Sequence, residues 1–229
     1  MDPATSPRIA LIAEGPSDHA VLANFLGAYF KDTDLDVSRL QPPPNVPGGW
    51  TEVLRYIASP EFAAAFTDND YVVVQIDTDV CEEPGFGVPR RGEDGQELTP
   101  EVLADRVQTR LLAQLSPAVV AAHAERILFA ICVDSLECWL LPLVYENRRQ
   151  ARTVNCLDAL NRELSARHGY SIDKQKKQVA YYERLLRDRR CHKHATLAAI
   201  ADKSPSLARF IALLDARFPA HIMLARRGA

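Results

Sequence analysis

The sequence predicts an α/β protein: a parallel four-stranded sheet flanked by helices, with a helical C-terminal extension. Three observations predict it. Four short apolar runs, residues 8–13, 36–40, 71–76 and 127–133, alternate with stretches whose apolar residues recur at helical spacing. The Val72-Val73-Val74 core of the third run shows no polar alternation, which suits a parallel strand covered on both faces. From Asp134 onward the pattern reads as helix.

In chain order, the first run passes into a turn, Glu14-Gly15-Pro16, and Ser17 opens a helical stretch from Asp18 to Phe30. The second run is followed by a loop, 41–49, that holds four prolines and two glycines, and then by a helix over 50–58. The third strand ends in Asp77-Thr78-Asp79. Residues 81–98, acidic and rich in Gly and Pro, are too long for an ordinary connection and read as a functional loop or a mobile flap. Thr99 caps and Pro100 opens a helix carried by Val102, Leu103, Val107, Leu111 and Leu115. After the fourth strand the candidate helices are 135–145, 155–167, 174–187 and 204–218, the last opened by Ser204-Pro205.

With 229 residues, 47% hydrophobic and 25% charged, the chain is globular and long enough to bury roughly 70% of its unfolded surface, which excludes disordered and fibrous classes. No apolar run approaches the roughly 18 residues of a membrane span, and the first residues lack a basic start and an apolar signal core. A cytoplasmic protein without membrane contact is expected. The five cysteines, Cys81, Cys132, Cys138, Cys156 and Cys191, form no C-x-x-C pair, so buried idle thiols are expected rather than a disulfide framework or a zinc site. The net charge of −3 hides a split: residues 1–145 hold 9 Lys+Arg against 22 Asp+Glu, and residues 146–229 hold 18 against 8. The chain accordingly divides into an α/β metal-binding domain, 1–145, and a basic helical region, 146–229. An acidic half needs cations, and a basic half offers the footprint that phosphate backbones require. Attraction between the two halves is the other account of the split.

In a parallel sheet ligands bind at the carboxyl edge, and two strands deliver acids there: Glu14 after the first, Asp77 and Asp79 after the third. Three convergent carboxylates repel one another, and a hard divalent cation, Mg²⁺ or Mn²⁺, resolves the conflict. Capping of a turn by Asp77 and Asp79 is the alternative.

The segment Ile9-Ala10-Leu11-Ile12-Ala13-Glu14-Gly15-Pro16-Ser17-Asp18, followed by Val72 to Asp79, resembles the Toprim domain over about residues 8–145. The resemblance implies a Rossmann-like sheet, a Glu after the first strand and D-x-D after the third. A closer likeness is to small bacterial Toprim-like proteins related to the OLD and RloB families. These carry a Glu-x-Trp-Leu-Leu-type segment after the fourth strand and a Ser-Pro-Ser-x-x-x-Phe helix start near the C-terminus. Here those are Glu137-Cys138-Trp139-Leu140-Leu141 and Ser204-Pro205-Ser206-Leu207-Ala208-Arg209-Phe210. Topoisomerase and primase patterns place a Gly shortly after D-x-D, where this chain has Val80-Cys81-Glu82-Glu83. A stand-alone metal-dependent nuclease is what the likeness implies, with a role in defence against phage or mobile elements.

On that resemblance Glu14 is a general acid or base or a metal ligand, and Asp77 and Asp79 hold the metal. Asp18 either assists from one turn later or is an acid stabilised by the helix dipole. Glu137 is either a further ligand or a cap. Lys174, Lys176, Lys177, Arg184 and Lys193, with Tyr181 and Tyr182 interleaved as stacking faces, read as a nucleic-acid-binding helical stretch or as a solvated basic face. Glu82 and Glu83 read as solvated loop acids rather than ligands, and Cys191-His192-Lys193-His194 reads as basic surface, with a zinc site as the lesser alternative. The expected partner is nucleic acid, DNA or RNA, with a partner ATPase and a homodimer left open. Two other functions compete: a non-catalytic module that binds nucleic acid or a partner, and a haloacid-dehalogenase-like phosphatase using Asp77 as nucleophile.

Overall fold

The computed structural model describes residues 6–219. Four parallel strands, β1 (Ile9–Ile12), β2 (Val37–Gln41), β3 (Tyr71–Asp77) and β4 (Ile127–Cys132), form one sheet in the order β2-β1-β3-β4. Ile9 lies between Val37 and Tyr71, and Asp77 pairs with Cys132 at the carboxyl end. The fold class is the one the sequence predicts.

Successive strand residues point to opposite faces, and each face carries its own core. Ile9, Leu11, Val73, Leu128 and Cys132 pack with α1 (Pro16–Phe30) and with the helices that follow β4. Ala10, Ile12, Val72, Val74 and Ile76 pack with α2 (Trp50–Ile57), α3 (Pro60–Asp68) and α4 (Pro100–Leu112). The sheet is therefore buried on both sides, which is why its strands read as continuous apolar runs. The sequence reading assigns no element to α3 or to α5 (Pro117–His123), although Ser59-Pro60 and Ser116-Pro117 repeat the start signal of Thr99-Pro100. Thr99 accepts from the Val102 N–H at 3.4 Å, as a cap should. The 81–98 segment is fastened rather than free. Cys81 and Phe86 are buried, and the Arg110 guanidinium donates to the Gly85 and Phe86 carbonyls.

After β4 come α6 (Glu137–Leu140), α7 (Cys156–His168), α8 (Val179–Asp188), α9 (His194–Ala201) and α10 (Pro205–Arg217). Three expectations are corrected here. The helix expected over 135–145 ends at Leu140, because Pro142 lacks the N–H that would continue it, and a 3₁₀ turn follows. The helix expected over 174–187 begins only at Val179. Asp173 Oδ1 accepts from the Gln175 and Lys176 N–H groups, and that side-chain turn replaces the first helical turns. Cys138 and Cys156, expected as idle thiols, form a disulfide between α6 and the start of α7. Their 18-residue separation carries no local signal; only the docking of the two helices brings the sulfurs together.

The two C-terminal motif segments meet in the core. Trp139 stacks between Phe25 and Phe210, and its indole N–H donates to Ser206 Oγ at 2.8 Å. Ser206 also accepts from the Val133 N–H. One continuous core thus joins β1, α1, α6 and the helices beyond residue 146. Among the described residues no helix is long and apolar enough to cross a membrane.

Candidate functional site

The carboxyl edge of the sheet gathers six acids. Glu14 follows β1 directly, in a turn that two contacts fix. Its carbonyl accepts from the Gly49 N–H at 2.7 Å, and its own N–H donates to Gln75 Oε1 at 3.2 Å. The approach of the Pro- and Gly-rich loop is so close that a Cβ on Gly48 would lie 2.1 Å from the Glu14 carbonyl oxygen. The Glu14 carboxylate reaches across to β3 and accepts from the Asp77 N–H at 2.7 Å. Asp77, the last residue of β3, is buried and accepts from Gln75 Nε2 at 2.8 Å and from the Leu136 N–H at 3.0 Å. Asp79 lies in the turn beyond the strand, exposed at the rim rather than beside Asp77.

Two more acids come from the chain after β4. Asp134, with φ +66°, occupies the left-handed region. Its N–H donates to Thr78 Oγ1 at 2.8 Å, and its carbonyl accepts from the Asp79 N–H at 2.9 Å, so the ends of β3 and β4 are stitched together. Glu137 is buried at the start of α6. Its Oε1 accepts from the Tyr182 hydroxyl at 2.5 Å and lies 3.1 Å from Lys177 Nζ. Asp18, in the first turn of α1, is the sixth. Asp18 Oδ1 and Glu137 Oε2 are buried with no hydrogen-bond partner.

Lys177 sits among these acids. It lines both a cavity of about 380 Å³ shared with Glu14, Ser17, Asp18 and Gly49 and one of about 250 Å³ shared with Asp79, Asp134, Glu137 and Asn155. A larger cavity of about 450 Å³, between β2, α1 and α8, contains none of the six acids.

The electrostatics follow from loss of water and from crowding. Burial first, then the charges of Asp18 and Asp79, push the Glu14 carboxyl up to about 8, against the hydrogen bond from the Asp77 N–H and the charge of Lys177. Burial likewise lifts Asp18 to about 7, opposed by Lys177. Asp77 is raised well above the usual carboxylate range by burial and by Glu14 and Asp18; Asp134 also rises, chiefly through burial, and Asp79, although exposed at the rim, rises through partial loss of water and the charge of Asp134. Glu137 is the exception. Burial pushes it up, but the charge of Lys177, with the hydrogen bond from Tyr182 beside it, outweighs burial and holds it below the ordinary value. Burial works against the Lys177 charge, yet Glu137, Asp77 and Asp18 keep its pKa above that of a free lysine. Burial and crowding thus leave Glu14, Asp18 and Asp77 with raised carboxyls, beside two buried oxygens that no donor meets.

Glu14, Asp77, Asp79 and Glu137, the four expected metal ligands, thus lie at one sheet edge but not in one pocket: Glu14 lines one cavity, Asp79 and Glu137 the other, Asp77 is buried and lines neither, and they do not close on one point. Among the described residues, the one set of three or more ligand atoms lying within 4.8 Å of each other is Asp134 with Cys138 and Cys156, and both sulfurs are committed to the disulfide. The expected basic stretch is divided. Lys174 and Lys176 are exposed on the loop at the pocket mouth, and Lys177 turns inward. Arg184 lies over the Tyr170 ring and pairs with Asp188 at 3.7 Å, while Lys193 is exposed ahead of α9. Tyr182 offers no stacking face: it is fully buried on Glu137, and Tyr181 stacks on Tyr170.

The sequence reading missed Asp134, Gln75 and the inward turn of Lys177. Asp134 follows a strand as Glu14 does, and Gln75 interrupts an apolar run, so both carried a signal; Lys177 carried none. No family model, no curated protein and no solved structure matches the chain.

Proposed function

We propose that the protein is a metal-dependent nuclease with a Toprim-type site that hydrolyses phosphodiester bonds in nucleic acid. One observation carries this reading: acids from three strand ends and two helix starts gather at one edge of the sheet around two adjoining cavities, with Asp18 Oδ1 and Glu137 Oε2 buried and unpartnered. Glu14, Asp18 and Asp77 on one side, and Asp79, Asp134 and Glu137 on the other, are the residues that would hold Mg²⁺ or Mn²⁺. A bound divalent cation supplies charge stabilisation at the phosphate and lowers the pKa of water. Gln75 and the Leu136 N–H orient Asp77. Glu14, with its carboxyl near pH 8, is suited to hold or release a proton at its free oxygen. Lys174 and Lys176 at the mouth are placed to meet the backbone of an incoming strand.

The Asp77 geometry speaks against a phosphatase nucleophile. The residue is 5% exposed, and one of its carboxylate oxygens already accepts two hydrogen bonds. The Lys177–Glu137 ion pair is what favours a second reading, a non-catalytic module whose acids are neutralised internally. Single-turnover assays on plasmid, single-stranded DNA and RNA with Mg²⁺ or Mn²⁺ decide between them. The nuclease reading expects cleavage that chelator abolishes and that Glu14→Gln eliminates while nucleic-acid binding persists. Cleavage by the Glu14 variant at the wild-type rate, or none by the wild type with any metal, overturns it.

A further inference from the structure

Lys177 is held where a solvated lysine would not sit. Its backbone lies in the left-handed region, φ +35°, which is unfavourable for a residue with a Cβ. The side chain enters the pocket to place Nζ 3.1 Å from Glu137 Oε1, with Asp77 and Asp18 as its next strongest charge partners. A strained backbone persists where surrounding contacts over-determine it, and here the contact is ionic. The loop that delivers Lys177 is anchored at both ends and lightly held between them. Ile172 exchanges two hydrogen bonds with the Asn161 side chain at 2.7 and 2.8 Å, and α8 begins at Val179. Between them, the backbone bonds of 173–178 stay within the loop: Lys177 N–H to the Asp173 carbonyl, and Gln175 and Lys176 N–H to the Asp173 carboxylate. Lys177 lines two cavities, and the acids of each stop short of a common point.

We propose that Lys177 is the built-in cation of the acidic pocket, and that a divalent cation enters by displacing its ammonium, with residues 173–178 moving outward as a strap. The displacement rests on the metal reading of the site; the counter-charge role does not. One positive charge leaves and two enter, so the carboxylates that Lys177 holds apart can close, and the unpartnered oxygens of Asp18 and Glu137 gain a partner. Two cations in so small a volume repel, which makes the exchange competitive rather than additive.

The test uses the full chain, stripped with chelator, in wild-type, Lys177→Gln and Lys177→Arg forms. Mn²⁺ calorimetry is combined with thermal melts in chelator and with amide exchange over 173–178. The expected result is Mn²⁺ binding tightened roughly 5- to 150-fold in Lys177→Gln, with Lys177→Arg close to wild type. In chelator the Gln variant should melt at least about 3 °C lower, because the acids lose their counter-charge. Amides of 173–178 in the wild type should exchange faster once Mn²⁺ saturates. Unchanged or weaker Mn²⁺ binding by Lys177→Gln, beside normal binding by the wild type, overturns the displacement alone. An unchanged melting temperature in chelator overturns the counter-charge role. Absence of Mn²⁺ binding by all three forms overturns the displacement together with the metal reading.

Discussion

Gln75 links the two strand ends that matter most: its carbonyl oxygen accepts from the Glu14 N–H and its amide donates to Asp77. It is fully buried, so replacing it with Leu strands two polar partners, and a loss of about 1–3 kcal/mol is expected in denaturant titrations. Asp77→Asn behaves in the opposite way. The amide oxygen can still accept from Leu136 and Gln75, and a buried charge is removed, so the melting temperature in chelator should hold or rise while divalent binding and cleavage fall by about 10²-fold or more. The acids also set a pH dependence. A carboxyl whose pKa rises on folding binds its proton more tightly in the folded chain, so its contribution to stability is fullest below its unfolded pKa and is lost as pH rises through the folded value. For Glu14 that window runs from 4.5 to about 8, and for Asp18 from 3.8 to about 7. Buried His19, lowered from 6.5 to about 4 by loss of water, acts with the opposite sign, but only below 6.5. Melts in chelator should therefore show declining stability between pH 6.5 and 8, and saturating Mn²⁺ should flatten the decline; a rise across that interval contradicts the assignment. Glu14 and Asp77 were legible because strand ends in a parallel sheet share an edge. Lys177 and Tyr182 were not, since contacts over 40 and 45 positions along the chain to Glu137 leave no periodic trace.

The elements that shape the pocket are short and fastened by local devices. The loop before α2 presses on the Glu14 turn at Gly48, where a methyl group would meet a backbone oxygen rather than a yielding side chain. Gly48→Ala should thus cost about 1–3 kcal/mol and weaken divalent binding, because the carbonyl it displaces belongs to Glu14. The disulfide joins α6 to α7 behind Glu137 and closes a loop spanning 18 residues, worth about 3 kcal/mol on a chain-entropy basis. Treatment with a dithiol, or Cys138→Ala combined with Cys156→Ala, should lower the denaturation midpoint accordingly. The strands and the helices opened by a capping residue and Pro were legible, since their signals lie within a few residues. The start of α8 was not, because Asp173 folds the preceding segment back through its own side chain.

Across the whole molecule part of the charge split is paired between the halves, Lys177 with Glu137, Arg209 with Asp105 and Arg217 with Glu125. Lys177 is spent inside the acidic pocket, while Lys174 and Lys176 stand free at its mouth. If nucleic acid binds there, Lys174→Ala with Lys176→Ala should reduce the slope of log affinity against log salt by about 1.8 on duplex DNA. Arg184→Ala should change it less, its guanidinium being engaged by Tyr170 and Asp188. An unaltered slope moves the contact surface elsewhere. Fold class was readable from the alternation of strand and helix, but the integration of the two halves was not: the core on the α1 face draws on β1 and on α10 alike. That integration bears on the order of events during synthesis. Glu14, Asp77, Asp79 and Asp134 emerge from the ribosome in the first 134 residues, whereas Lys177, Tyr182 and Ser206 follow much later. Until they arrive, Glu137 lacks its lysine and tyrosine and Trp139 lacks its hydroxyl partner. The α/β portion alone therefore offers its buried Glu137 neither counter-charge nor hydroxyl donor, and the helices beyond residue 146 complete the pocket.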